Sequence, residues 1–308
     1  MKQKILIVGS SNVDFVVGVR EMPLPGETLM GSSFDNVPGG KGANQACACG
    51  RLGGDSVFLS CVGRNAQGDM LLESLRGAHV DTSRMRVLEG VPTGMAFITV
   101  NGAGENSIVV IPGANTACDI GYFEANEEAI QEAGIVLAQL ETPAEDVYWL
   151  LKKAHSLGKL TILNPAPAPE SLPEDVLPFI DYLTPNETEL AKLTGLPTET
   201  LEEIQTAAQV LLCKGVGHVL VTIGSRGVFL CDREGARQYE TRKVTPVDTT
   251  AAGDTFNGGF AVGLSEGMEV AEAIRLANAA ASLSVTRKGA QTSIPSRAEV
   301  EALLADRK

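Results

Sequence analysis

The sequence predicts an α/β protein whose central, mostly parallel β-sheet carries helices on both faces. A short apolar run at residues 4–9 ends in glycine, which is typical of a buried first strand. From about residue 57 onward, short apolar runs alternate with helical patterns. The chain then ends in helices predicted over 253–265, 269–286 and 296–305. We therefore expect residues 1–308 to form a single, Rossmann-like domain.

The alternating region gives an ordered set of expected elements. Strands are predicted at 57–62, 135–138, 160–163, 181–184 and 219–222, and helices from about 66 and at 121–133, 144–157, 186–193 and 201–214. Two further strands, 228–231 and 237–241, are expected to form a late antiparallel hairpin.

Two insertions depart from this rhythm, at about residues 13–38 and 93–112. They contain β-rich pieces, including 15–17 and 27–30, broken by prolines and glycines. We expect them to form a small β-sheet that acts as a lid over a site. Because their apolar residues need a partner face, we also predict a homodimer through this lid.

The overall charge excludes several classes of partner. There are 25 Lys and Arg against 38 Asp and Glu, which gives a formal net charge of −13. Such an acidic protein is a poor candidate for binding nucleic acid or an anionic membrane. The apolar run at the amino terminus is too short for a signal peptide, and none approaches the length of a membrane span. A cytoplasmic protein is the simplest expectation.

The cysteines and histidines predict no metal centre. None of the six cysteines belongs to a Cys-x-x-Cys pair, so we expect small buried side chains in a reducing compartment. The three histidines are far apart in the sequence and match no zinc motif.

The most informative stretch is residues 247–256, where small residues lead into a helix. Ala251, Ala252 and Gly253 leave the backbone bare at a helix amino end, which is a ready anion site. Asp254 beside it could orient a hydroxyl while the amides take charge from a phosphoryl group. The helix end should also keep Asp254 ionised and lower its basicity. The alternative is an ordinary helix start capped by Asp254.

A second glycine-rich turn spans residues 38–46 and also leads into a helix. A P-loop would need glycine at position 35 and Ser or Thr at position 42, and the chain has Asp35 and Gly42 instead. The turn could still let a small ligand approach the backbone, with Lys41 and Asn44 as polar contacts. A purely structural turn is the alternative.

Polar residues follow several predicted strands, where ligands of open α/β sheets bind. Asn12 and Asp14 follow the first strand and are placed to meet a hydroxylated ligand, although an ordinary turn is the alternative. The later strands are followed by Glu141, Asn164, Thr184 and the segment 222–227.

These motifs resemble the ribokinase/phosphofructokinase-B family of sugar and nucleoside kinases. Both family signatures are present, at 39–46 and 248–256, and the likeness continues through 12–14, 164–168, 184–187, 222–227 and 286–290. The resemblance covers essentially the whole chain. It implies phosphorylation of a sugar by ATP, and the first signature together with Asn12, Asp14 and 164–168 favours D-ribose, at its 5-hydroxyl.

The resemblance also implies roles for individual residues. Asp254 would accept the proton of the hydroxyl, and the amides of Ala251, Ala252 and Gly253 would form the anion hole. The sugar would be held by Asn12, Asp14, Gly40, Lys41, Asn44, Glu141 and Asp254. ATP would be held by Asn186, Thr222, Gly224, Ser225, Gly227, Gly253 and Asn278.

Two cations are implied as well. Glu189 would help to organise Mg²⁺ through water. An activating K⁺ would be held by Asp248, Thr250, Ser284, Arg287, Gly289 and Ser293, several of them through backbone oxygen. Asp248 is also a plausible ligand for a hard cation by its chemistry alone.

The same residues leave other functions open. A non-catalytic sugar or nucleotide binder would not need Asp254, and a dinucleotide-dependent dehydrogenase would need Gly-x-Gly-x-x-Gly after the first strand, where the chain has 9–12 as Gly-Ser-Ser-Asn. Among kinases, another pentose, a ketohexose or a nucleoside is the alternative substrate.

Overall fold

The computed structural model describes residues 2–306. Its strands are β1 (Ile5–Val8), β2 (Asn12–Gly18), β3 (Ser33–Gly39), β4 (Ser56–Leu59), β5 (Cys61–Gly63), β6 (Arg86–Leu88), β7 (Gly94–Val100), β8 (Asn106–Ile111), β9 (Ile135–Ala138), β10 (Leu160–Leu163), β11 (Tyr182–Leu183), β12 (His218–Thr222), β13 (Val228–Asp232) and β14 (Gly235–Tyr239). Its helices are α1 (Lys41–Arg51), α2 (Ala66–Gly77), α3 (Ile120–Glu124), α4 (Glu127–Glu132), α5 (Ala144–Ser156), α6 (Glu187–Thr194), α7 (Leu201–Cys213), α8 (Ala252–Ser265), α9 (Val270–Ser284) and α10 (Arg297–Ala305). None of these helices is both long enough and apolar enough to cross a bilayer.

The main sheet has eight strands in the order β14-β13-β12-β11-β10-β9-β1-β4. The six strands from β12 to β4 pair in parallel, and β13 and β14 add an antiparallel hairpin at one edge. This confirms the predicted fold class. Because the parallel strands share one direction, the residues that follow them all lie along the same edge of the sheet.

Both faces of the main sheet are covered by helices, as the sequence predicts. In β1 the side chains of Ile5 and Ile7 enter a core with α1, α2, α8, α9 and α10. The alternating residues Leu6 and Val8 pack on the other face, against α3, α4 and α5. Helices α5, α6 and α7 cover the remainder of that second face.

A separate four-stranded sheet, which we call the small sheet, has the order β3-β2-β7-β8. Its strands fall within or next to the two predicted insertions. The strand predicted over 27–30 is wrong. Residues 24–27 form a turn, in which the N–H of Glu27 donates to the carbonyl of Leu24 at 2.9 Å and the carboxylate of Glu27 accepts the N–H of Leu24 at 3.0 Å, and residues 28–30 continue as irregular chain.

Three further predictions need correction. The strand predicted over 57–62 is two strands, because the chain leaves the main sheet at Ser60 and β5 pairs with β6 instead. The helix predicted over 121–133 is broken between α3 and α4, where the side chain of Asn126 donates to the carbonyl of Tyr122 at 2.9 Å. Five cysteines are buried as expected, but Cys213 is exposed at the end of α7.

Candidate active site

The candidate site lies where the carboxyl ends of the parallel strands meet the amino ends of α1 and α8. The loop after β1 supplies Ser10, and the loop after β9 supplies Glu141. One oxygen of Glu141 accepts hydrogen bonds from Ser10 Oγ at 2.6 Å and from the N–H of Lys41 at 3.0 Å. Gly40 precedes α1 and has no side chain to cap it, so the carboxylate of Glu141 satisfies this helix end.

Asp254 is in the first turn of α8, with 7% of its surface exposed. Its oxygen Oδ2 accepts a hydrogen bond from Asn44 Nδ2, and its Oδ1 accepts one from Gln45 Nε2, both at 3.0 Å. Burial raises the pKa of Asp254, and the charge of Lys41 and the two amide donors offset this only in part. The expectation of lowered basicity is therefore wrong, because burial raises the pKa more than Lys41 and the two amides lower it.

Lys41 is the cation of this region. Burial lowers the pKa of its ammonium group, but the charges of Asp254, Glu141 and Glu189 raise it by more, so the net pKa is raised. A protonated Lys41 is thus stabilised among carboxylates. The backbone that carries it is constrained at Gly40, which has φ 88° and where an added Cβ would lie 2.7 Å from the N atom of Asn12.

Asn12 and Asp14 approach the same place from β2. The side-chain oxygen of Asn12 accepts a hydrogen bond from Asn115 Nδ2 at 2.7 Å, which fixes the orientation of its amide. Burial raises the pKa of Asp14 to about 7, with further contributions from the negative charges of Glu141 and Asp254. The structure therefore brings together all the residues predicted to hold the sugar.

The proposed anion hole begins with an unusual backbone conformation. Ala251 has φ 58° and ψ 16°, the left-handed region, and directly precedes α8. Successive N–H groups in such a turn converge on an anion. The N–H of Ala252 makes a long bond of 3.3 Å to the carbonyl of Thr249. A Cβ added at Gly253 would meet no atom within 4 Å, so this end of the helix opens into free space.

That space is part of a cavity of about 730 Å³. All seven residues predicted to hold ATP line it: Asn186, Thr222, Gly224, Ser225, Gly227, Gly253 and Asn278. Phe256, Val228 and Val285 provide apolar walls. The cavity is thus large enough and apolar enough for a nucleotide base, with the amino end of α8 at its boundary.

Sequence reasoning missed part of this cavity. Residues 241–244 and 246 also line it, including the exposed Lys243. They follow the end of the antiparallel hairpin, and β14 ends at Tyr239, two residues earlier than predicted. No motif marks this segment; the only sequence signal is a pair of cations, Arg242 and Lys243, just before the second signature.

The residues predicted to hold K⁺ come from the segment before α8 and from the end of α9 with the loop that follows it. One oxygen of Asp248 accepts bonds from the N–H and hydroxyl of Thr250, at 2.9 and 2.6 Å, and the other accepts the N–H of Gly289 at 2.9 Å. Burial acts to raise the pKa of Asp248, but these donors outweigh it and the net pKa is lowered. The N–H of Arg287 donates to the carbonyl of Ser284 at 3.1 Å, while Ser293 lies in the turn that follows.

Glu189, predicted to act on Mg²⁺, is tied to the start of α6. Its carboxylate accepts the N–H of Asn186 at 2.8 Å, and Asn186 in return accepts the N–H of Glu189 at 2.8 Å. This is a capping box. Burial raises the pKa of Glu189 despite this bond and the charge of Lys41. The described residues contain no group of three or more His, Cys, Asp or Glu suited to a metal ion.

Comparison with known proteins identifies the family of this chain. Residues 2–297 match the family described as pfkB family carbohydrate kinase. The chain is 42% identical to a ribokinase of Haemophilus influenzae over 97% of both chains, and 35% identical to a deoxyribokinase of Salmonella typhi over 95% of both. Among solved structures, Arabidopsis thaliana ribokinase complexed with ribose and ATP superposes with a TM-score of 0.93, at 38% identity and 99% coverage of both chains. The chain therefore belongs to the pfkB family of carbohydrate kinases.

Proposed function

We propose that this chain transfers the γ-phosphoryl group of ATP to the 5-hydroxyl of D-ribose, giving D-ribose 5-phosphate and ADP. One observation carries the proposal beyond the family relationship. Gly253 lines the nucleotide cavity, and the next residue, Asp254, bonds to the sugar-side residue Asn44. The base and the anion hole are thus neighbours in sequence at the boundary between two subsites.

The sugar side has acceptors available for hydroxyl groups. Oδ1 of Asn44 is buried and accepts no hydrogen bond from the described residues. A buried acceptor without a partner is costly, and a ligand hydroxyl would satisfy it. Asp14 and Glu141 add carboxylates, which are strong acceptors for sugar hydroxyls. Asn12, Gly40 and Lys41 complete this proposed subsite.

For the chemical step, Asp254 aims the hydroxyl at the γ-phosphorus and receives its proton. Its raised pKa suits that role, because a more basic carboxylate takes the proton more readily. The amides of Ala251, Ala252 and Gly253 meet the negative charge of the moving phosphoryl group. Phosphoryl transfer depends mostly on such positioning and charge neutralisation.

Two cations belong to the same proposal. The charges of Asp254, Glu141 and Glu189 act on the single ammonium group of Lys41, and Asp14 lies near Glu141 and Asp254, so negative charge is in excess before ATP adds more. Mg²⁺ held by phosphate oxygens and by water bound to Glu189 would offset it. K⁺ would lie against Asp248, with oxygen ligands from Thr250, Ser284, Arg287, Gly289 and Ser293.

We further propose that the small sheet closes over the sugar and pairs with a second copy of the chain. Four consecutive apolar residues of β8 are exposed, from 40% at Ile111 to 59% at Val109, and Phe34 on β3 is 62% exposed. A long apolar edge strand of this kind normally has a partner. A cytoplasmic location, where ATP is supplied, completes the proposal.

A coupled assay of ADP release over ribose, deoxyribose, fructose, arabinose and adenosine tests the substrate. Deoxyribose is the second candidate, because a deoxyribokinase is among the relatives. We expect ribose to have the highest kcat/KM, and a product with phosphate on the 5-oxygen. A higher kcat/KM for any other sugar would remove ribose as the substrate while leaving the family membership intact.

A further inference from the structure

Behind Asp254 lies a buried chain of hydrogen bonds that the chemistry above does not use. It begins at Gln45 in α1, which is 0% exposed. Nε2 of Gln45 donates to Oδ1 of Asp254 at 3.0 Å and to Oδ1 of Asn164 at 3.1 Å. One side-chain amide thus links the candidate base to the loop after β10.

The chain continues to the backbone of the anion hole. Nδ2 of Asn164 donates to the carbonyl of Thr184 at 2.9 Å. The hydroxyl of Thr184 donates to Oδ1 of Asn257 at 2.6 Å, and Nδ2 of Asn257 donates to the carbonyl of Gly253 at 2.9 Å. The circuit therefore starts at the carboxylate of Asp254 and returns to the residue directly before it.

The groups at the two ends of this circuit determine which atom donates in each hydrogen bond. The carbonyl of Thr184 and an ionised Asp254 can only accept, so Asn164 and Gln45 must present their NH₂ groups to them. Oε1 of Gln45 then accepts from Gln139 Nε2 at 2.6 Å. A flipped amide at Gln45 would place oxygen against two acceptors. The circuit is thus satisfied in one arrangement, with Asp254 ionised.

We propose that Gln45 is a positioning residue for phosphoryl transfer. It holds Oδ1 of Asp254 so that Oδ2 faces the substrate hydroxyl. The hydrogen bonds through Asn164, Thr184 and Asn257 fix the position of Gly253 relative to Asp254. This inference rests on the proposed function, since it assigns a role within that reaction. Gln45 itself touches neither substrate, because it is fully buried.

The surroundings explain why such a device is needed. Asn44 also holds Asp254, but Oδ1 of the same amide has no partner among the described residues and is the acceptor proposed for a sugar hydroxyl. Gln45 and Gln139 have no exposed surface, so their bonds are insulated from the solvent. Bonds to a charged group are stronger in such an environment, which favours one rotamer of Asp254.

The first test replaces Gln45 with methionine, which fills a similar volume and removes both donors. We expect kcat to fall about 10- to 100-fold, as one charged hydrogen bond predicts. KM for ribose and ATP should stay within about threefold, because neither substrate loses a contact. The loss of a donor also raises the pKa of Asp254, so the acid limb of the kcat–pH profile should move upward by about one pH unit.

The second test uses a matched pair, Thr184→Val and Thr161→Val. Both hydroxyls are buried and both substitutions keep the side-chain shape. The hydroxyl of Thr161 bonds to the carbonyl of Phe179 at 2.7 Å and to Asp181 at 3.0 Å, at the far end of β10 and outside the circuit. We expect Thr184→Val to lower kcat several-fold and Thr161→Val to lower only the thermal stability.

The outcomes separate this inference from the proposed function. A wild-type protein inactive on ribose with ATP would overturn the proposed function and the inference with it. If the wild type is active and folded Gln45→Met keeps its kcat and pH profile, the inference alone is overturned. If Gln45→Met does not fold, the valine pair decides: equal kcat for the two valine variants overturns the inference, and a lower kcat for Thr184→Val alone supports it.

Discussion

Replacing Asp14 with asparagine should stabilise the unliganded protein at alkaline pH while weakening its use of ribose. The pKa of Asp14 is raised from 3.8 to about 7, first by burial and then by the nearby charges of Glu141 and Asp254. A carboxyl group held this way costs stability whenever it is ionised. We propose that this cost is tolerated because the carboxylate of Asp14 binds sugar hydroxyls. Active sites commonly lower the stability of a protein in this way.

The sign and size follow from proton linkage. Because the folded pKa is the higher one, the favourable contribution of the protonated group is fully present below pH 3.8 and is lost as the pH rises to about 7. At about 1.4 kcal/mol per pKa unit, the loss is about 1.6 kcal/mol at pH 5 and about 4 kcal/mol at pH 8, as upper bounds. The Asp14→Asn variant does not suffer this loss, because its side-chain amide is neutral at every pH.

Urea unfolding of both proteins at pH 5 and pH 8, without ribose, measures this difference. The stability advantage of Asp14→Asn should grow by about 2 to 3 kcal/mol between the two pH values. Asp35→Asn is a suitable control, because Asp35 is on the neighbouring strand and is exposed. KM for ribose should rise at pH 8 in Asp14→Asn only. An advantage that is the same at both pH values would refute the reasoning.

Three further predictions concern packing, potassium and assembly. Gly42→Ala should lower stability by about 1 to 3 kcal/mol in a urea titration, because its Cβ would lie 2.6 Å from the backbone of Gly9; Gly77→Ala, with no atom within 4 Å, should not, and equal effects would contradict this. Replacing K⁺ with tetramethylammonium should lower kcat of the wild type but have little effect on Asp248→Asn, whose rate should already be low; a full wild-type rate without K⁺ would exclude this site. Val109→Asp should reduce the light-scattering mass from two chains to one at micromolar concentration, and a wild type that is already a single chain would disprove the dimer.

Much of the fold could be predicted because the hydrophobic pattern of each element matches its position in the fold. Strands such as β1 and β9 are continuous apolar runs that fit a sheet covered on both faces. The errors occurred at single polar residues. Ser60 interrupts the apolar run 57–62, and the chain leaves the main sheet there. Asn126 ends a helix through its side-chain bond to the carbonyl of Tyr122, four residues earlier.

Part of the site could likewise be predicted from the sequence, and part could not. Small residues beside Asp254 indicated an anion site, and the polar residues after the strands indicated a ligand at that edge. Two features were beyond such reasoning. The raised pKa of Asp254 depends on burial by segments that are distant in the sequence, which outweighs the charge of Lys41 and the two amide donors. The chain from Gln45 to Gly253 joins α1, two strand ends and α8, and no spacing in the sequence reveals that these meet.

The central claim is that Asp254 aims and deprotonates the 5-hydroxyl of ribose for transfer from ATP. The most direct test is kcat of Asp254→Asn in the ADP-release assay, together with calorimetric binding of ribose and ATP. The variant keeps the size of the side chain but cannot take the proton. We predict that nearly all turnover is lost while both ligands still bind within a few-fold of wild type. Turnover within about tenfold of wild type, equivalent to about 1.4 kcal/mol of barrier, would contradict the claim.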